Sequence, residues 1–298
     1  MKIVHSLWSK PARGKAKGHD MALDSCGWPN KKYHYLSWVL SALQFRKYYD
    51  QVELVTDEFG AEVLVNKLGL PYTSVKVILD EINGYDSGLY AMGKIKAYSV
   101  QDGPFVHADG DIFIWDRLDS RLEYARLMCQ GKEEGPLYNR MYMEILYAIA
   151  ANFEYYPAVL DWSVDKNGGV RAINAGILGG HDNAFFAEYA NKAFEFIDRN
   201  LTQLQRINPV TFNLIFEQFL FAALAEQKGV RLEYLNSEVN LSGFFCEYTG
   251  VPTKTKYIHP CGPSKKNRHL VDWLECQVRN DYPEYYYRVM HLIKSNEI

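Results

Sequence analysis

Cysteine is scarce in this chain, and its spacing forms no known cluster. Cys26, Cys129, Cys246, Cys261 and Cys276 include no C-x-x-C pair, and their number is odd. That excludes a disulfide framework or a zinc cluster and points to a reducing cytosol. Long apolar runs are missing too: none approaches the roughly 20 residues of a spanning helix. The opening stretch, Met1 to Trp8, holds no apolar segment of signal-peptide length. A cytoplasmic protein, at most peripherally associated with membrane, is the expectation. There is no basic field either. The formal net charge is -3, and the basic runs (Arg13 to Lys17; Lys265, Lys266 and Arg268) are short. Nucleic acid is therefore not an expected partner. Internal repeats, low-complexity tracts and Ser/Gly-rich linkers are also lacking.

What is present is an ordinary globular composition, 48% hydrophobic and 23% charged, over a length that can bury a substantial core. The chain carries 22 Tyr and 6 Trp, residues that fill cores and also stack on sugar faces. Up to Asp111 the pattern alternates. Strand-like segments at Lys2 to Trp8, Val52 to Thr56, Ser74 to Leu79 and Phe105 to Ala108 are separated by helical spacings at Tyr33 to Tyr48, Phe59 to Leu68 and Leu89 to Val100. Such alternation predicts an α/β fold with a central, mostly parallel sheet flanked by helices. Residues 9 to 32 read as a long loop, Arg117 to Met128 as a helix, and 129 to 137 as another loop. Helices are expected at Tyr138 to Ala151, Ala184 to Arg199 and Phe212 to Gln227. Strands are expected at Val170 to Leu178 and Arg231 to Leu235, before a helical tail.

The sharpest chemical signal is Asp109-Gly110-Asp111, placed directly after the apolar strand Phe105 to Ala108. Ligands of open α/β sheets sit at the carboxyl ends of strands. Two carboxylates one residue apart, with glycine between, let both reach one hard cation, Mn²⁺ or Mg²⁺. Such an ion offsets charge on a departing diphosphate. A bare D-x-D is also an ordinary surface turn. Three further segments add weight. Tyr257 to Lys266 holds H-x-x-G-x-x-K: His259 offers a neutral nitrogen for a third ligand, Gly262 a close backbone approach, and Lys265 a charge for phosphate. In Asn174-Ala175-Gly176, small residues at a strand allow a ligand against the backbone, and Asn174 can meet hydroxyls. Glu217-Gln218 interrupts an apolar helical run, where a carboxylate must be paired or face a polar cavity.

In this order the segments resemble a GT-A glycosyltransferase, most closely the glycogenin and bacterial galactosyltransferase-like retaining group. The resemblance spans roughly residues 1 to 266. It implies a GT-A domain over 1-266 with a C-terminal helical extension at 267-298. It also implies a hexosyltransferase that moves a sugar from a nucleoside diphosphate sugar, a UDP-hexose, to a carbohydrate hydroxyl, in bacterial-type surface glycan synthesis. By the resemblance Asp109, Asp111 and His259 hold the metal. Trp8, Lys94, Asp109, Asn174, Gly176, Gly262 and Lys265 contact the donor. Gln218 or Glu217 faces the anomeric carbon if configuration is retained; if it is inverted, Glu217 is the candidate general base for the acceptor hydroxyl. The pattern departs after Lys265, where the family's Lys-Pro-Trp is replaced by Lys266-Asn267. Two other readings compete. One is a haloacid-dehalogenase-like phosphohydrolase, whose D-x-D normally follows the first strand. The other is a non-catalytic, carbohydrate-binding relative. Tyr138, Tyr142, Tyr155 and Trp162 are the exposed-aromatic candidates for an acceptor, with core packing the expected fate of most of them.

Overall fold

A computed structural model describes residues 1–13, 25–239 and 246–298. In chain order the strands are β1 (Lys2–Leu7), β2 (Val52–Thr56), β3 (Ser74–Val77), β4 (Phe105–Ala108) and β5 (Phe113–Ile114). They continue as β6 (Leu127–Glu133), β7 (Ala172–Gly180), β8 (Leu232–Val239) and β9 (Tyr257–Ile258). The helices are α1 (Lys10–Arg13), α2 (Lys31–Tyr48), α3 (Glu58–Ala61), α4 (Met92–Ser99), α5 (Ser120–Glu123) and α6 (Pro136–Asn152). After them come α7 (Asn183–Asp198), α8 (Pro209–Asn213), α9 (Leu220–Gln227), α10 (Arg268–Asp281) and α11 (Pro283–Lys294). The expected fold class is borne out: the chain is α/β, with a seven-stranded, mostly parallel sheet and flanking helices.

Two compact units divide the chain. The first comprises Met1–Ser87, Ala108–Arg117 and Leu241–Ile298; the second comprises Gly88–His107 and Leu118–Asn240.

In the first unit β1 and β3 lie on either side of β2, all parallel, with Ile3 opposite Val52 and Leu54 opposite Val75. All five residues of β2, VELVT, are buried, as expected of a parallel strand covered on both faces. Leu36, Val39, Leu40 and Phe113 pack with Leu54, and with Leu274 and Val278 of α10 and Val289 of α11, in one apolar cluster. The C-terminal helix pair thus belongs to this core. It starts cleanly because the Asn267 side chain accepts from the backbone N–H groups of His269 and Leu270, a standard N-cap. Apart from the main sheet, β5 and β9 form a two-stranded antiparallel ribbon.

In the second unit the strand order is β4-β7-β6-β8. β6 runs antiparallel to β7 and parallel to β8. The backbones of β7 and β4 approach so closely at Gly179 that a Cβ there would lie 2.2 Å from the Phe105 carbonyl oxygen. Phe105, Phe186, Tyr189 and Phe221 build an aromatic core around Tyr98.

Several expectations need correction. Of the helix expected over Arg117 to Met128, only the single turn α5 forms, and the loop expected over 129 to 137 is mostly strand β6. β6 is buried along nearly its whole length. Its polar residues Gln130 and Glu133 point into the protein, so no alternation marked it. The loop expected at 9 to 32 contains α1, while residues 14–24, including Lys15 and Lys17 of the basic run, lie outside the described residues. Of the aromatic candidates for an acceptor, Tyr142 is fully buried in the core, whereas Trp162 is 50% exposed. Among the described residues no helix is long and apolar enough to cross a membrane.

Candidate functional site

The first unit holds the acidic pair. β4 is four buried residues, FVHA, and Asp109 follows as the chain leaves it. The Ile112 N–H donates to the Asp109 carbonyl at 3.1 Å and closes a tight turn. Gly110 rests on the indole of Trp38: a Cβ there would lie 2.5 Å from Trp38 Cε2. The Ser41 hydroxyl donates to the Asp109 carbonyl at 3.5 Å. The turn is therefore seated on α2 by one ring and one hydroxyl, and glycine is the residue that allows the approach.

The imidazole comes from far along the chain. In the β5–β9 ribbon Phe113 lies opposite Ile258 and Ile114 opposite Tyr257. Trp115 N–H extends the ladder by donating to Lys256 O at 2.8 Å. This register sets His259, just after β9, beside the turn just before β5. One ligand atom each from Asp109, Asp111 and His259 lie within 4.8 Å of one another. His259 Nε2 is 3.5 Å from Asp111 Oδ1. Ligands around one small divalent ion are about 3 Å apart when adjacent and about 4.3 Å apart when opposite. Small side-chain shifts therefore close this set on a single ion. Two carboxylates and an imidazole suit Mn²⁺ or Mg²⁺, with positions left for phosphate or water oxygens.

The charges at this site hold one another. Lys265 Nζ lies 2.6 Å from Asp111 Oδ2 and donates to the Cys26 carbonyl at 3.0 Å. Burial opposes a charge on Asp111, but Lys265 and then His259 outweigh it and hold the carboxyl well below the usual carboxylate range. Burial also opposes charge on His259, where Cys261 and Asp111 win and raise it well above its ordinary value. Lys265 is raised by Asp111 against its own burial. Close by on α2, His34 is lowered to about 4 by burial and by Lys265, and so adds no competing charge. His259 Nδ1 faces the Cys261 thiol at 3.2 Å. Gly262 has a φ of +48° and no atom within 4 Å of where a Cβ would stand, which leaves that backbone open. Trp8, at the end of β1, is 5% exposed, and its indole N–H donates to Asn83 at 2.7 Å.

The second unit holds the other candidates. Lys94 on α4 pairs with Glu217 at 2.9 Å, which answers the need of that buried carboxylate for a partner. Glu217 and Gln218 lie on a π-helical stretch, Leu214–Phe219, a distortion common at functional positions. Asn174 accepts from Gly176 N–H at 3.0 Å. Sequence reasoning missed the group they share: Glu133 accepts from Asn174 at 3.0 Å, from Gln218 at 3.2 Å and from the Tyr142 hydroxyl at 2.5 Å. No motif or period singled it out.

The sequence matches the model of the Family of unknown function (DUF6734) over residues 1–292. No curated protein matches it. Similar solved structures include the galactosyltransferase LgtC in complex with donor and acceptor sugar analogues. It is 12% identical, with 94% of this chain and 99% of that chain covered and a TM-score of 0.47. Mouse xyloside xylosyltransferase 1, apo form, is 11% identical over 87% of this chain and 96% of that chain, with a TM-score of 0.42. The inositol-1-phosphate CTP transferase from T. maritima is 10% identical over 94% and 96%, with a TM-score of 0.38. Likeness at this level leaves the functional reading to the residues themselves.

Proposed function

We propose that this chain, which belongs to the Family of unknown function (DUF6734), is a metal-dependent glycosyltransferase. Its donor is a nucleoside diphosphate sugar, a UDP-hexose, and its acceptor a carbohydrate hydroxyl. The observation that carries this reading is the meeting of Asp109, Asp111 and His259 within 4.8 Å beside the ammonium of Lys265. Acidic ligands with a lysine at their rim suit a cation and the diphosphate it holds.

When bound, Mn²⁺ or Mg²⁺ would draw charge from the leaving diphosphate. The chain's own groups do the rest. Asp109 and Asp111 supply oxygen ligands, and Asp111 is kept ionised by its neighbours. His259 must give up a proton to ligate. Lys265 can turn from Asp111 to a phosphate oxygen, and the open backbone at Gly262 allows a phosphate to lie against it. We assign Gln218, with Glu217 beside it, to the anomeric carbon in a retaining transfer, and Asn174 and Gly176 to the donor sugar. Lys94, as partner of Glu217, fits a role in holding that carboxylate. A place in surface-glycan synthesis follows from the resemblance noted above.

The test is a thermal-unfolding screen of UDP, UDP-glucose and UDP-galactose with and without Mn²⁺. Ligands that bind the native state raise the melting temperature. A rise that needs both nucleotide and metal, and that is lost in Asp111→Ala, is expected. No rise with any nucleotide, or an Asp111→Ala variant that responds like wild type, would reject the proposal.

A further inference from the structure

Glu133 is a buried carboxylate to which no role has so far been given. It is 5% exposed, at the end of β6, and three side chains from three other elements donate to it. We infer that Glu133 is a positioning residue: its carboxylate, gripped by Tyr142, locks the side-chain amides of Asn174 and Gln218 in a single orientation. The inference deepens the proposed function and rests on its assignment of Gln218 and Asn174 to the donor sugar.

The two ends of a side-chain amide have nearly the same shape but opposite hydrogen-bonding character. An ionised carboxylate only accepts. It therefore draws the NH₂ end of both amides, Asn174 Nδ2 to Oε1 and Gln218 Nε2 to Oε2. The carbonyl ends are then committed to β7: Asn174 Oδ1 accepts from Gly176 N–H at 3.0 Å, and Gln218 Oε1 accepts from Ala175 N–H at 3.1 Å. Tyr142 closes the ring, donating to Glu133 Oε2 while accepting from Gln218 Nε2 at 3.0 Å. The amides that would face a sugar are thus oriented by a group that need not touch it.

Protonation breaks this logic. A neutral carboxyl carries an O–H, so one of its three donors would meet another donor: either the Tyr142 hydroxyl reverses and accepts, or an amide turns or lets go. Burial, with Glu217 adding to it, raises the Glu133 carboxyl to about 7, against the donors that favour its charge. Three other titratable groups face it. Tyr142 from α6 and Cys129 on β6 itself are pushed upward by burial and stay uncharged. Glu217 on the π-helical stretch is paired with Lys94. The hydrogen bonds that hold Asn174 and Gln218 therefore change with the charge of Glu133.

Nitrogen-15 NMR of the side-chain amides tests this without any enzyme assay. In the wild-type chain the Asn174 and Gln218 NH₂ resonances, assigned from Asn174→Asp and Gln218→Glu, should move together with one midpoint near 7. In Glu133→Gln they should stay still. Amides that do not move between pH 5 and 9 in wild type, or that still move in Glu133→Gln, overturn the inference, and the wild-type titration decides even if the variant fails to fold. A parallel measurement of UDP release from UDP-galactose with Mn²⁺ separates the two proposals. A kcat lowered roughly tenfold or more at pH 8 in Glu133→Gln, with KM within about twofold, is expected. If wild type releases no UDP from UDP-glucose or UDP-galactose while its amides titrate as described, the transferase reading fails and the amide clamp stands.

Discussion

Gly110→Ala isolates the seat of the acidic turn. An ideal Cβ at this position would lie 2.5, 2.6 and 2.7 Å from three atoms of the Trp38 indole. Ordinary carbon contacts begin at about 3.5 Å, so roughly 1 Å of space is missing. Trp38 is 4% exposed and meets the His5 ring edge-on at 5.8 Å, so it has nowhere to swing. The backbone of Asp109 to Asp111 has to move instead. Overpacking of this kind costs about 1–3 kcal/mol, which lowers the melting temperature by roughly 2–10 °C in a chain of this size. The displacement matters more than the energy, because metal ligands tolerate only about 0.2 Å of error. Differential scanning calorimetry with and without MnCl₂ reads both quantities. Wild type should gain from the metal, about 2.7 kcal/mol when Mn²⁺ is at 100 times its dissociation constant. Gly110→Ala should melt lower and lose that gain. Gly103→Ala, with nothing within 4 Å of its new Cβ, serves as the control. If Gly110→Ala melts with wild type and keeps the full response to Mn²⁺, the account of this turn is wrong.

Other expectations follow from single contacts. Lys94→Met removes the ammonium 2.9 Å from the buried Glu217 and should destabilise by up to about 3 kcal/mol in urea unfolding, with Lys94→Met/Glu217→Leu regaining part of the loss. Gly179→Ala drives a methyl into the Phe105 carbonyl and should cost about 3 kcal/mol or more, since neither backbone can yield; its urea midpoint measures this. Glu133 has a folded value raised from 4.5 to about 7. Its stabilising contribution is therefore complete below pH 4.5 and is lost as the pH climbs through 7, on the order of 3 kcal/mol. Glu133→Gln should flatten the wild-type fall in stability across that window. Finally, the wild-type chain with Mg²⁺ should not hydrolyse p-nitrophenyl phosphate; turnover there would favour a phosphohydrolase.

How far the sequence could be read differs from element to element. β2 and β4 were legible because each is a short apolar run bounded by polar residues, and α2 because Leu36, Val39, Leu40 and Leu43 recur at helical spacing. Asp109 and Asp111 were legible for the same reason: a strand delivers them. β6 was not. A strand buried on both faces shows no period of two, and Leu-Met-Cys-Gln-Gly-Lys-Glu reads as polar chain until its neighbours are known. Glu133 was hidden with it, and so was the reason for burying Tyr142. His259 alone is an ordinary loop histidine. The H-x-x-G-x-x-K spacing and the resemblance raised it, and only the pairing of Phe113 with Ile258 places it. Local propensity carries no information about which distant strand will form such a ribbon.

That ribbon also has a consequence for how the site comes into being. About half the chain separates the aspartates from the imidazole, so a nascent chain on the ribosome displays Asp109 and Asp111 long before His259 has been translated. The grouping of Asp109, Asp111 and His259, and with it the metal site proposed above, is a late product of synthesis that needs the C-terminal segment made and zipped into place. A one-residue slip in that zipper would swing the imidazole to the opposite face, leaving a polypeptide with every ligand in its sequence and no centre in space.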